Sequence, residues 1–154
     1  MVVNGQLYQK RVTVGMTSTE FTKVIGDFWK WFSKHYKAEL HKDDLEDLFW
    51  ANAVNDMEEI LKKYGEDKTV INISRLCLSE MSDIKDWNKT NTQLVLYYNA
   101  FIDCTKILKE VEKGFDYCDG LKKQLYAKYK GNKFTGDLFD LTMEKIANEC
   151  KSII

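Results

Sequence analysis

A chain of 154 residues without a single proline is under one strong constraint. Nothing in it locks φ at −65° or removes a backbone donor, so its helices can run to full length without a kink. Average usage would supply about eight prolines. Apolar residues recur at three- and four-residue intervals through most of the chain, the spacing of helices that turn one face to a core. Together these features predict an all-α fold, an antiparallel bundle of five or six helices. No Pro-, Gly- or Ser-rich linker divides it, so residues 1–154 are expected to form a single helical domain.

The first 15 residues break the pattern. Val2 and Val3, an Asn4-Gly5 turn signal, then Leu7, Tyr8, Val12 and Val14 predict an extended segment or a short N-terminal β-hairpin, because Asn-Gly suits a type I′ turn. Thr17 and Glu20 then form a capping box that starts a helix over about residues 18–38. Its apolar face is Phe21, Val24, Ile25, Phe28, Trp31, Phe32 and Tyr36, with Lys23, Lys30, Lys34 and Lys37 opposite. A second helix begins at Asp43 and Asp44, which complement the positive helix end, and stops at Gly65. The stretch from Val70 to Trp87 has helical spacing. The next apolar arc, Leu94 to Val111, is broad enough to predict the central helix. Gly114 and Gly120 read as breaks, a shorter helix carries Leu121, Leu125 and Tyr129, and Gly131 closes it. The last helix is expected over about residues 137–153.

No window approaches the ~18 uninterrupted apolar residues of a membrane span, and Met1 to Arg11 lacks an apolar stretch behind a basic start. A cytoplasmic protein without membrane contact is therefore expected. Its four cysteines, Cys77, Cys104, Cys118 and Cys150, are spaced too widely for a CxxC ligand pair and read as reduced, buried small hydrophobes. Arg11 and Arg75 are the only arginines, so 21 of the 23 basic residues are lysines. That bias suggests an AT-rich genome such as that of a low-GC bacterium or its phages.

Signatures of chemistry are sparse. The sequence has no phosphate loop, dinucleotide fingerprint, HExxH, GxSxG elbow or EF-hand loop, and no cofactor or metal is expected. His35 falls within the apolar stripe of the first helix and Glu46 on the apolar side of the second, so the two could meet at the helix junction as a satisfied polar pair. Two carboxylate pairs, Asp43 with Glu46 and Asp56 with Glu59, invite comparison with all-α, magnesium-dependent nucleotide pyrophosphohydrolases. Both pairs lie on one helix, however, and roughly 100° or more separates them around its axis, so convergence on one ion is hard.

The charge distribution is more informative. The net charge is −1, yet residues 43–61 hold seven carboxylates and no lysine or arginine, while residues 121–134 hold five lysines and no acid. Opposed patches of this kind steer macromolecular partners. Asp44, Asp47, Asp56, Glu58 and Glu59 form a candidate acidic partner-binding face. Lys122, Lys123, Tyr126 and Lys130 form a basic face whose tyrosine could stack on single-stranded nucleic acid. On the last helix Leu138 and Leu141 point away from the main stripe and, with Phe134, form a candidate interface, so a homodimer is favoured over a monomer. The reading is a non-enzymatic helical accessory protein that binds another protein. Its alternatives are a metal-dependent nucleotide pyrophosphohydrolase and a single-stranded nucleic-acid binder.

Overall fold

The structure, a computed structural model, describes residues 17–37, 43–65, 67–84 and 91–153, with the backbone alone at 43–47, 91 and 151–153. These residues form six α-helices: α1 (Ser18–Tyr36), α2 (Asp43–Tyr64), α3 (Lys68–Ile84), α4 (Asn91–Leu108), α5 (Phe115–Tyr126) and α6 (Lys133–Ile153). Short 3₁₀ turns at Val111–Lys113 and Ala127–Tyr129 flank α5. No strand occurs among the described residues, and the expected N-terminal hairpin lies outside them.

Local chemistry sets most of the boundaries. The Thr17–Glu20 capping box is formed, with each side chain satisfying the other's backbone N–H. Gly65 ends α2 at φ 71°, where a side chain would be strained. Two caps were not anticipated. Asp67 Oδ1 accepts the N–H groups of Thr69 and Val70 at 2.9 and 3.1 Å and so starts α3. Asn132 Oδ1 accepts from the Thr135 N–H at 2.9 Å, so α6 starts at Lys133, four residues ahead of the expected start. Gly120 does not interrupt the chain; it lies inside α5.

Contact register shows antiparallel neighbours. In the α1–α2 pair Asp27 meets Lys63 and Tyr64, while Lys34 and His35 meet Asp56. In the α1–α4 pair Tyr36 lies beside Gln93 and Phe32 beside Tyr97. In the α5–α6 pair Lys122 meets Asp140, and Tyr126 reaches back to Asn132.

The core centres on an aromatic cluster drawn from α1, α4 and α6. Phe32 packs its ring 4.5 Å from Tyr97, 5.9 Å from Phe101 and 5.7 Å from Phe134, centroid to centroid. Tilted and edge-on arrangements dominate, as the aromatic quadrupole favours. This cluster overturns the candidate interface. Phe134 is 2% exposed and Leu138 0%, so both are core residues, and Leu141 is half-buried. The physical reason is that α6 packs against α1, α3, α4 and α5 and buries more than one stripe. α1 likewise packs against four helices, whereas α4 packs chiefly against α1, α5 and α6 and leaves Val95 and Tyr98 in solvent.

Two long-range anchors tie α6 to the starts of other helices. The Ser18 N–H of α1 donates to Glu149 Oε2 at 3.0 Å. Lys145 Nζ donates to Asp67 Oδ2 at 2.8 Å, in a pair whose side chains are both more than nine-tenths buried. The Lys145 ammonium also sits 5.4 Å from the Phe21 ring centroid. Another buried acid, Asp103, accepts from Tyr129 Oη at 2.6 Å and from Lys128 at 3.0 Å, which fixes the turn after α5. Cys77, Cys104 and Cys118 are buried free thiols, and burial raises the pKa of each, that of Cys104 to about 12.

Candidate functional site

The antiparallel α1–α2 pair forms a crease of about 330 Å³ lined by Asp27, Lys30, Trp31, Lys34, Asp56, Glu59, Ile60 and Lys63. It exists because α1 turns its lysine face outward beside the carboxylates of α2. Its charges are largely matched within the chain. Lys34 lies 2.7 Å from Asp56, and Lys63 lies 2.9 Å from Asp27, which also accepts from Tyr64 Oη. Burial raises the Asp27 pKa, but the hydrogen bonds from Tyr64 and Lys63 outweigh it and hold the carboxyl below its ordinary range. Beneath the crease Trp31 Nε1 donates to the Ala53 carbonyl at 2.8 Å.

His35 does pair with a carboxylate, and the partner is Asp56, whose Oδ2 lies 3.0 Å from His35 Nε2. The side chain of Glu46 lies outside the described residues. Because a carboxylate can only accept, the neutral imidazole carries its proton on Nε2. The ring is 3% exposed and packs against Trp31 and Phe49. Burial lowers its pKa, and the Asp56 hydrogen bond and charge oppose that shift. The Lys34 hydrogen bond lowers the Asp56 pKa, with His35 adding to the effect. His35 does not line the crease, so this geometry is a structural latch between α1 and α2.

The latch has a pH signature. An unfolded histidine titrates near 6.5, and the native imidazole takes its proton at lower pH. Stability present above pH ~6.5 is therefore lost as pH falls through the native value. The melting temperature should decline as pH falls below about 6.5, and His35→Gln, which donates to Asp56 without titrating, should flatten that decline. Equal slopes in wild type and variant would show that His35 is not its source.

The acidic and basic faces are partly accounted for. On α2, Glu58 and Glu59 are exposed, Glu59 lies 3.8 Å from Lys62, and Asp56 is held by Lys34 and His35. The side chains of Asp44 and Asp47 lie outside the described residues. Among the described residues, no three His, Cys, Asp or Glu side chains are arranged to hold a metal ion. On the basic segment, Lys122 meets Asp140 at 3.0 Å, Lys123 meets Asp119 at 3.1 Å and Lys133 meets Asp137 at 2.8 Å, while Lys130 is exposed. Tyr126 does not rise from this face. Its ring lies over Gly136, where a Cβ would come within 2.9 Å of the hydroxyl, and its Oη donates to the Asn132 carbonyl at 3.0 Å.

A different surface lies between α1 and α4, one of three places among the described residues where large apolar side chains are exposed, the others being Leu48 and Val54 on α2 and Phe115 and Tyr117 on α5. Val95 is 53% and Tyr98 43% exposed, and the Tyr98 ring meets the half-buried Trp29 edge-on at 5.1 Å. Ile102, one turn further along α4, is half-buried. Their signal was present in the sequence: the apolar arc of α4 is wider than one packed face, and positions 95, 98 and 102 form a second stripe at helical spacing.

No helix among the described residues is long and apolar enough to cross a membrane. Comparison with protein-family models, curated proteins and solved structures returns no match.

Proposed function

We propose that this chain is a non-enzymatic helical accessory protein that binds another protein, with the shelf formed by Trp29, Val95 and Tyr98 at the centre of the contact. The observation that carries this reading is the exposure of Val95 and Tyr98, the latter in edge-on contact with Trp29, on two helices packed against each other. Tryptophan and tyrosine bring large contact area at small entropic cost and dominate binding hot spots. The exposed acids Glu58 and Glu59 of α2 supply a second, polar element that orients the partner. The lysine bias is in keeping with an AT-rich genome, such as that of a low-GC bacterium or its phages.

Affinity capture from such a host, with cross-linking at introduced surface sites, tests the reading. The wild type should retain a protein partner that Tyr98→Ala with Val95→Asp loses, while helical content is kept and melting falls by only the few degrees expected from losing the Trp29–Tyr98 contact. Capture that survives the double substitution would overturn the shelf. Metal-dependent release of pyrophosphate from nucleoside triphosphates, abolished by Glu59→Gln, would overturn the non-enzymatic reading.

A further inference from the structure

We infer that the partner presents an acidic amphipathic helix, which lies along the outer side of α1 with its apolar edge on the Trp29–Tyr98 shelf and its carboxylates on Lys23, Lys30 and Lys37; this rests on the protein-binding reading above. The three lysines recur every seventh residue, so they stand about 10.5 Å apart along one side of α1. All three are exposed. The same helix places Gly26 between this row and Trp29, and a side-chain carbon at Gly26 would meet nothing within 4 Å. Gly26 thus leaves open surface between the lysine row and Trp29.

Charge decides which helix fits. Residues 21–37 hold four lysines and one acid, Asp27. Asp27 is turned into the α1–α2 crease, where Lys63 and Tyr64 hold it, and its side chain is 20% exposed. Lys34 is likewise directed to Asp56. Lys30 also borders that crease beside Asp27 and Glu59, and Lys23 stands three residues after Glu20, so the row is positive on balance rather than bare of acids; the lysines of residues 121–134 mostly face carboxylates of their own chain. A helix with glutamates at heptad spacing complements the row, and one with lysines there is repelled. Nucleic acid fits less well, because a straight row of lysines without arginine lacks bidentate phosphate contacts and the one nearby tyrosine ring is already packed against Trp29.

The test uses two labelled synthetic helical peptides that share a Leu/Trp face and differ only in carrying Glu or Lys beside it, with labelled oligothymidylate as a third probe. Fluorescence anisotropy with the full chain should show the Glu peptide binding at least tenfold more tightly than the Lys peptide at low salt, with the difference shrinking as salt rises. Lys23→Gln, Lys30→Gln and Lys37→Gln together should weaken the Glu peptide at least fivefold without moving the melting temperature. Equal binding of the two peptides, no binding of either, or tighter binding of oligothymidylate would overturn the inference. Host capture separates this failure from that of the function. A partner lost on Tyr98→Ala with Val95→Asp but retained by the triple-Gln variant would leave the shelf standing and remove the acidic helix. A partner retained by both variants would remove both.

Discussion

Phe134→Ala should lower stability by about 3–5 kcal/mol, the range for truncating a buried aromatic side chain. Phe134 fills the space between Phe32, Tyr97 and Phe101, with centroids 5.7, 5.3 and 6.0 Å away. Its removal would leave a cavity bordered by rigid rings that cannot collapse into it. For a chain of this length the melting temperature should fall by roughly 10 °C. Urea denaturation monitored by circular dichroism measures the change directly. A loss within ~0.5 kcal/mol, typical of a surface site, would restore Phe134 to the exterior.

Lys145→Met should cost about 3 kcal/mol or more, because it leaves the Asp67 carboxylate buried without its counter-charge. Combining it with Asp67→Asn should recover a large part of that loss. The asparagine oxygen can still cap α3 through the Thr69 and Val70 N–H groups, and no unpaired charge remains. Asp67→Asn alone should be costly, since it strands the Lys145 ammonium instead. The same denaturation measurement on the two single variants and the double variant gives the coupling. Additive costs would show that the two groups act independently.

The all-helical architecture was legible because its signals are local. The spacing on α1, the Thr17–Glu20 box and the Gly65 stop each depend on residues within a few positions of one another, and the structure reproduces them. What could not be read depends on which helix meets which. Phe134 and Leu138 lie off the stripe that runs from Phe139 to Ile153, and only the presence of several neighbours around α6 turns that second side into core. Lys145 shows the same effect more sharply. Alone, a lysine on the final helix reads as solvated, and its burial follows from the Asp67 carboxylate and the Phe21 ring, which come from distant parts of the chain.

The site was legible in kind more than in place. A polar latch between the first two helices was expected from His35, but wheel positions alone could not choose Asp56 as its acid; that choice follows from the antiparallel register. Tyr126 was expected to stand free among lysines, and the glycine that lets it lie flat, Gly136, is on a different helix. Tyr98 lies within the broad apolar arc of α4, which is wider than its neighbours cover. Periodicity along α4 shows that its apolar arc is wide, but which side of that arc stays uncovered is a property of the assembled bundle.

The placement of α6 also bears on the order of synthesis. It is the last of the six helices to leave the ribosome, yet it supplies Phe134 to the central ring cluster and anchors the starts of α1 and α3, across sequence separations of 131 and 78 residues. Until it emerges, the rings of Phe32, Tyr97 and Phe101 lack the aromatic that completes their packing. Before α6 emerges, the nascent chain therefore exposes apolar surface that this helix later covers, the condition in which incomplete chains are prone to associate wrongly.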